Sequence, residues 1–279
     1  MRKAMDDRYV LEPSPKEHDR LDLQGAIYRD ITRHALIDGR LAPGMRVLDI
    51  GCGTGDLSRL AADIVGPSGT VLGVDRDAQA IAAARARTEE LGPGNVSFAV
   101  AEIGGDLAGG PFDALVGRFV LMHQEDPSAT LALAARAVRP EGIVIVVESH
   151  LAGLLTEHHS QPFSPLYDRI VRWQCRVIAA AGADICSGLR LRRTFLDAGL
   201  TEPRMRMEAP VEGGPDSLVY DYVSESTANM MAMARQCGIE GFTTEEVETL
   251  STRLRDQVMG GGGTVLVWPA VSAWCRRAS

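Results

Sequence analysis

Up to about residue 150 the chain alternates short apolar runs with amphipathic stretches. MRVLDIG, TVLGVD, NVSFAVAEI, FDALVGRF and GIVIVVES are rich in Val, Ile, Leu and Phe and bounded by turn residues, the pattern of strands buried on both faces. Between them the spacing predicts helices over about residues 56–64, over the alanine-rich DAQAIAAARARTEELG, and over PSATLALAARAVRP, stopped by Pro140. An amphipathic helix is expected over about residues 16–37, with Leu21, Ile27, Ile31 and Ala35 on one side, before Gly39 and Pro43-Gly44 break the chain. Strands alternating with helices at short intervals predict an α/β fold with a doubly wound, mostly parallel sheet.

Beyond residue 150 the rhythm changes. HLAGLLTEHHSQPFSP is irregular, SPLYDRIVRWQCRVIAAAG and GLRLRRTFLDAGL read as helices, and PRMRMEAPVE alternates like a strand. A helical stretch bearing Met and Tyr follows over 215–238, then TTEEVETLSTRLRDQVMG, a helix entered at Thr244 with Glu245 and Glu246 in its first turn. GGGGTVLVWPAV reads as a flexible link into a last strand. The long helical insert before that strand is expected to form a lid.

Hydrophobic residues fill 45% of the 279 positions, enough for a full core, and the length suits a large domain with a smaller subdomain. The net charge of −8 disfavours a nucleic-acid partner, because the phosphate backbone demands a basic surface. It leaves room for an apolar or cationic small molecule. Cys52, Cys175, Cys186, Cys237 and Cys275 are odd in number and form no CxxC, so neither a zinc site nor a disulfide framework is expected, and they read as reduced thiols of a cytoplasmic protein. The charged MRKAMDDRYVLEPSPKEHDR is not a signal peptide, and no run approaches the roughly 18 apolar residues of a membrane span.

LDIGCGTGD holds the candidate chemistry: Gly51, Gly53 and Gly55 follow a strand and open a helix, with Asp49 and Asp56 at either end. A dinucleotide fingerprint needs Gly or Ala where Asp56 stands, and a phosphate loop needs Gly-Lys-Ser/Thr. A ligand that hugs backbone, lacks phosphate and carries positive charge fits better, and S-adenosylmethionine has those properties. Asp75, about 20 residues on, suits a ribose diol, although dinucleotide enzymes place an acid there too and the residue also reads as a cap of the next helix.

With these residues in place, VLDIGCGTGDLSRLAA and VLGVDRDAQAI resemble the first two motifs of class I S-adenosylmethionine-dependent methyltransferases, and the likeness runs over about residues 20–150. Within that class the chain is similar to enzymes of quinone biosynthesis and bacterial natural-product pathways. The resemblance implies a seven-stranded sheet of order 3-2-1-4-5-7-6 with the last strand antiparallel. It also implies a cofactor site of Asp49, Gly51, Gly53, Gly55, Asp75 and Arg76, with Glu102 and Ile103 at the adenine and the backbone around Arg118 and Phe119 at the methionine end. Glu102 departs from the more usual Asp by one methylene. Tyr9 and the Arg20-Leu21-Asp22-Leu23-Gln24 segment resemble a stretch that closes over the cofactor in bacterial relatives, so Tyr9, Arg20 and Gln24 join the expected site. The expected organisation is an N-terminal segment 1–40, a Rossmann-like core 41–150, and a remainder 151–279 carrying lid insertions at about 151–186 and 211–262. The expected product is S-adenosylhomocysteine.

Methyl transfer from a sulfonium asks the protein chiefly for positioning. A general base helps a hydroxyl or weakly acidic C–H acceptor and is unnecessary for a neutral amine. His123, Glu148 and His150 sit at strand ends on the ligand edge of such a sheet and are the candidates; Glu148 also reads as a loop hydrogen-bonding residue or a contact to a cationic substrate, His123 as a helix-start residue. Tyr167, Trp173, Tyr222, Met230 and Trp268 are candidate contacts to an apolar or aromatic acceptor, with ordinary helix packing as the alternative. His158 and His159 are expected to be exposed loop residues, and no metal is expected. Two other readings stay open: an S-adenosylmethionine-binding protein with another role, and a nicotinamide enzyme on a similar sheet. The expected partner is a small-molecule acceptor, with a homodimer possible on general grounds.

Overall fold

The computed structural model describes residues 15–91, 94–105, 110–155 and 159–278; Tyr9 and His158 lie outside them. Contacts divide the chain into two units. A core unit comprises Tyr28–Ser149, Ser187–Glu208 and Ala270–Ser279; an insertion unit comprises Met1–Ile27, His150–Cys186 and Ala209–Pro269.

Among the described residues the core unit holds a seven-stranded sheet of β1 (Arg46–Ile50), β2 (Thr70–Asp75), β3 (Val96–Val100), β4 (Phe112–Arg118), β5 (Val138–Ser149), β7 (Arg204–Glu208) and β10 (Ala270–Arg276). The spatial order is β3-β2-β1-β4-β5-β10-β7. Because β7 and β10 are the sixth and seventh strands of this sheet along the chain, this is the expected 3-2-1-4-5-7-6, with β10 antiparallel to both neighbours. Alternation puts Leu48, Ile50, Leu115, Val144 and Val146 on one face, in a core shared with Leu131 and Leu191 from α5 (Pro127–Ala135) and α7 (Ser187–Asp197). The other face carries α2 (Arg29–Asp38), α3 (Asp56–Val65) and α4 (Ala78–Leu91). Strands β1, β2, β4 and β5 run parallel, so their C-terminal ends share one edge.

The insertion unit contains α1 (Pro15–Ile27), α6 (Pro165–Ala180), α8 (Val219–Gln236), α9 (Thr244–Glu248) and α10 (Leu250–Gly260), with a three-stranded sheet β6-β9-β8 built from Ser160–Gln161, Thr264–Leu266 and Val211–Gly213. Helices α1, α6 and α10 all pack on α8. The fully buried Gln174 of α6 donates through Nε2 to Val223 O at 3.0 Å and to Thr227 Oγ1 at 2.9 Å, tying α6 to α8 inside that packing.

Several expected elements are corrected. The helix over 16–37 is two, α1 and α2, interrupted at Tyr28, whose ring is buried edge-on against Phe119 at 5.1 Å. A one-residue break leaves the apolar spacing almost intact and so is invisible to periodicity. Helix α5 ends at Ala135, ahead of Pro140, which lies in an irregular stretch of β5: Phe112 pairs with Val138 and Ala114 already with Ile143. Lacking an N–H, Pro140 fits where the ladder is interrupted. GGGGTVLVWPAV is not one strand; Pro269 separates β9, which pairs with β6 and β8, from β10, which joins the large sheet. His159 is buried, not exposed as expected, with Nε2 hydrogen-bonded to Leu154 O at 3.0 Å.

The cap of α9 is Thr243, one residue before the expected Thr244: its hydroxyl accepts from Glu246 N–H, and Glu246 accepts from Thr243 N–H, a complete capping box. Thr243→Ala is therefore expected to lower stability by about 1 kcal/mol and Thr244→Ala by only a few tenths, read from urea-unfolding midpoints.

Candidate functional site

Strand β1 delivers the glycine loop at the shared edge of the sheet. Gly51 has φ +60°, and a Cβ there would lie 2.6 Å from a methyl of Val120. Gly55, at φ +80°, caps α3, and its Cβ would lie 2.6 Å from the Phe98 ring. Both positions need glycine for conformation and for room at once. The loop is thus a turn whose backbone is bare toward whatever binds at the strand ends.

The carboxylates around it have distinct environments. Asp75, half-buried at the end of β2, accepts from Gly53 N–H through Oδ2 and from Asp77 N–H through Oδ1, both at 2.9 Å. Each oxygen keeps a further acceptor position, so Asp75 both shapes the loop and can receive two hydroxyls. Asp49 is completely buried. Its Oδ2 accepts from Ser58 Oγ at 2.6 Å, while Oδ1 has no hydrogen-bond partner. Burial pushes its pKa up from 3.8 to about 8, against the pull of the Ser58 hydrogen bond, and Asp56 pushes the same way. Asp56, the first residue of α3, is bound to Arg118 Nη2 at 2.5 Å, and Arg118 Nη1 also donates to Thr32 Oγ1 at 3.1 Å. Ser58 and Thr32 were not among the residues anticipated from sequence, and although Arg118 and Asp56 were both singled out, their pairing was not; no local motif marks these contacts, since the partners come from separate elements.

Phe119 follows β4 in the left-handed region, φ +56°, strained for a residue with a side chain. Its N–H donates to Val147 O at 2.9 Å, and Val120 and Leu121 then turn their N–H groups onto Glu148 Oε1 at 2.8 and 2.7 Å. Met122 N–H and Ser187 Oγ donate to Glu148 Oε2, both at 3.3 Å. Four donors take up the acceptor capacity of this fully buried carboxylate. Burial raises its pKa to about 7 although the three backbone donors favour the ionised form. Glu148 is thus the anchor of the turn after β4, the loop hydrogen-bonding alternative among its expected roles. His123 ends that turn, half-buried.

Glu102 and Ile103 lie just past β3, Glu102 exposed and Ile103 half-buried; Arg76 is exposed beyond β2. The core unit therefore brings Asp49, the three glycines, Asp75, Arg76, Glu102, Ile103, Arg118 and Phe119 to the strand ends and the loops that follow them. Arg20 and Gln24 belong to the insertion unit: Arg20 grips Glu17 with two hydrogen bonds of 2.8 and 2.6 Å, and Gln24 Nε2 donates to Tyr222 Oη at 3.1 Å.

The expected substrate contacts lie inside the insertion unit. Tyr167 Oη donates to Leu266 O at 2.8 Å, Trp173 stands edge-on to Phe242 at 5.3 Å, Tyr222 edge-on to Trp268 at 6.0 Å, and Met230 is buried. All five side chains are buried, and the packing alternative accounts for their contacts within this unit. The same unit carries a pocket of about 470 Å³ whose wall includes Trp173, Met231, Ile239 and Phe242. At its start, half-buried His150 donates its N–H to Pro269 O at 2.9 Å; Nδ1 of the ring is buried with no hydrogen-bond partner. Burial lowers the imidazole pKa, with Asp184 acting in opposition, so the ring is neutral at pH 7. Among the described residues no helix is long and apolar enough to cross a membrane, and no group of three or more His, Cys, Asp and Glu is placed to hold a metal.

Comparison with known proteins agrees with this geometry. A family model described as a methyltransferase domain matches residues 41–189, more than half of the chain. Nocamycin O-methyltransferase from Saccharothrix syringae is 37% identical over 119 residues, covering 41% of either chain. A ubiquinone/menaquinone biosynthesis C-methyltransferase from Pseudomonas savastanoi is 31% identical over 156 residues, covering 53% of this chain and 61% of the relative. The chain spans between about a third and just under two thirds of the length of the curated relatives it matches. The YcgJ protein of Bacillus subtilis has the same fold, with a TM-score of 0.58 at 17% identity over 90% of this chain and 99% of that one. With the glycine loop, the strand order and the family match taken together, the chain belongs to the class I S-adenosylmethionine-dependent methyltransferases.

Proposed function

We propose that the chain binds S-adenosylmethionine at the glycine loop and moves its methyl group to a small apolar or aromatic metabolite of natural-product or quinone-type biosynthesis. The observation that carries the donor assignment is Asp49: a buried carboxyl with one oxygen unpartnered, beside glycines that leave the backbone bare. An orphaned buried acceptor is costly unless a ligand's charge or donor meets it. A cationic, phosphate-free nucleoside suits that oxygen, whereas a pyrophosphate would meet three carboxylates, Asp49, Asp56 and Asp75. The names of the two relatives support the acceptor class.

When bound, the donor supplies an activated methyl on a sulfonium. Asp75 would hold the ribose hydroxyls through its two remaining acceptor positions, and Asp49 would favour the positive end of the ligand. Ile103 offers an apolar surface to the base, and the backbone at Arg118 and Phe119, rigidly seated on Glu148, lines the methionine end. For a hydroxyl or acidic C–H acceptor, His150 is the base, taking the proton at Nε2 because Nδ1 is sealed.

Three outcomes are expected. In calorimetric titration S-adenosylmethionine binds the wild type, and Asp75→Ala weakens it roughly tenfold to hundredfold, the range for a charge-assisted hydrogen bond; an unaltered isotherm would show the ribose assignment wrong. Asp49→Asn is expected to weaken the donor yet stabilise the protein. An acid whose pKa rises on folding from 3.8 to about 8 carries no penalty below pH 3.8 and a growing one as pH climbs toward 8. The variant's advantage in ligand-free thermal unfolding thus grows between those limits, reaching about 1–3 kcal/mol near pH 8. Finally, the acid limb of kcat/KM falls below pH 6.5, set by the lowered pKa of His150, and His150→Gln removes that limb while lowering kcat by about 10²–10⁴. An identical pH profile in the variant would exclude His150 as the base.

A further inference from the structure

Asp49, Asp56 and Asp75 surround the glycine loop, and a buried cation is built in among them. Arg118 leaves the end of β4, the strand that lies beside β1 with Val116 opposite Asp49 and Gly117 opposite Ile50. Its side chain is 6% exposed. One guanidinium nitrogen is bound to Asp56, another to Thr32 of α2, and the group lies over the Phe119 ring, 5.7 Å from its centre. The other arginines nearby differ: Arg76 is exposed, and half-buried Arg59 donates to Thr54 O. Buried charges act through a low effective dielectric and are screened weakly by salt. Asp49 already registers both members of the pair, Asp56 with one sign and Arg118 with the other.

We propose that the Arg118–Asp56 pair sets the relative affinity of the site for the cationic donor and its neutral thioether product. The inference rests on the donor assignment above. A sulfonium loses its charge as the methyl leaves, so a site that attracts the cation too strongly stabilises the ground state more than the transition state. Arg118 offsets the pull of Asp75, and of Asp49 once the bound cation draws it into its ionised form, and prevents that excess; Asp56 holds Arg118 in place and tempers it. Both residues are specificity-determining through their field, beyond any part they play in holding the turn together.

The test is calorimetric titration of S-adenosylmethionine and S-adenosylhomocysteine into the full-length wild type and variants. Arg118→Gln is expected to shift the affinity ratio toward the donor by about fifteen- to thirtyfold, and Asp56→Asn to shift it toward the product by a similar factor, in line with a unit charge at roughly 8–10 Å and an effective dielectric near 20. Arg118→Lys keeps the charge and should keep the wild-type ratio. Arg118→Gln should also lower KM and kcat together, as expected when ground-state attraction grows. Equal changes in both affinities, leaving the ratio intact in Arg118→Gln and Asp56→Asn, would overturn the inference and reduce the pair to a structural clasp. If Arg118→Gln fails to fold, Asp56→Asn and its opposite sign carry the test. Failure of the wild type to bind either ligand would sink the donor assignment itself, a result distinct from an unmoved ratio.

Discussion

The site depends on one buried carboxylate that contacts no ligand in the proposed chemistry. Glu148, at the end of β5, gathers the N–H groups of Val120, Leu121 and Met122 and the hydroxyl of Ser187. Those donors belong to a turn that leaves β4 through a strained residue, Phe119. Such a conformation persists only where its surroundings over-determine it. A fully buried acid with four hydrogen bonds supplies that determination, because releasing any donor would leave polar groups unpaired away from water. With Glu148 in place, Phe119 is locked, Arg118 reaches Asp56, and the loop of β1 meets the turn of β4 at a defined separation.

The glycine loop then has a simple physical logic. Val120 and Phe98 occupy the space that side chains at Gly51 and Gly55 would need, so the close packing that holds the loop also forces it to be bare. Asp75 ties the loop from the neighbouring strand through Gly53 N–H. Asp49 is stranded beneath, paired to Ser58 on one side only. Stability and binding pull in opposite directions at this carboxyl, and such conflict is expected where a site is shaped for a charged partner.

The insertion unit follows a different economy. Its Met and Tyr residues, suggestive of an adaptable pocket on sequence, pack α8 against α1, α6 and α10. Tyr167 and Tyr222 each hold a hydrogen bond to a backbone carbonyl or side-chain amide, as large amphipathic side chains do when buried.

The strands themselves, the glycine loop and the acid at the end of β2 could be read from the chain, because each is specified locally: apolar runs of strand length, glycines at fixed offsets, an acid at a strand end. The spatial order of the strands came only with the resemblance to the methyltransferase class. Breaks of a single residue were not legible. Tyr28 divides two helices and Thr243, not Thr244, caps α9 through contacts the periodicity does not record. The hand-over at Pro269 between two sheets depends on which strands are near enough to pair. Most of all, sequence names the acids but not their partners. Glu148 stood as an equal candidate for base and for loop anchor until four donors from β4 and α7 surrounded it, and Asp56 read only as an obstacle to a dinucleotide until Arg118 arrived from another strand. Local pattern determines which elements form; desolvation and charge pairing are sums over residues distant in the chain, and only tertiary structure brings those together.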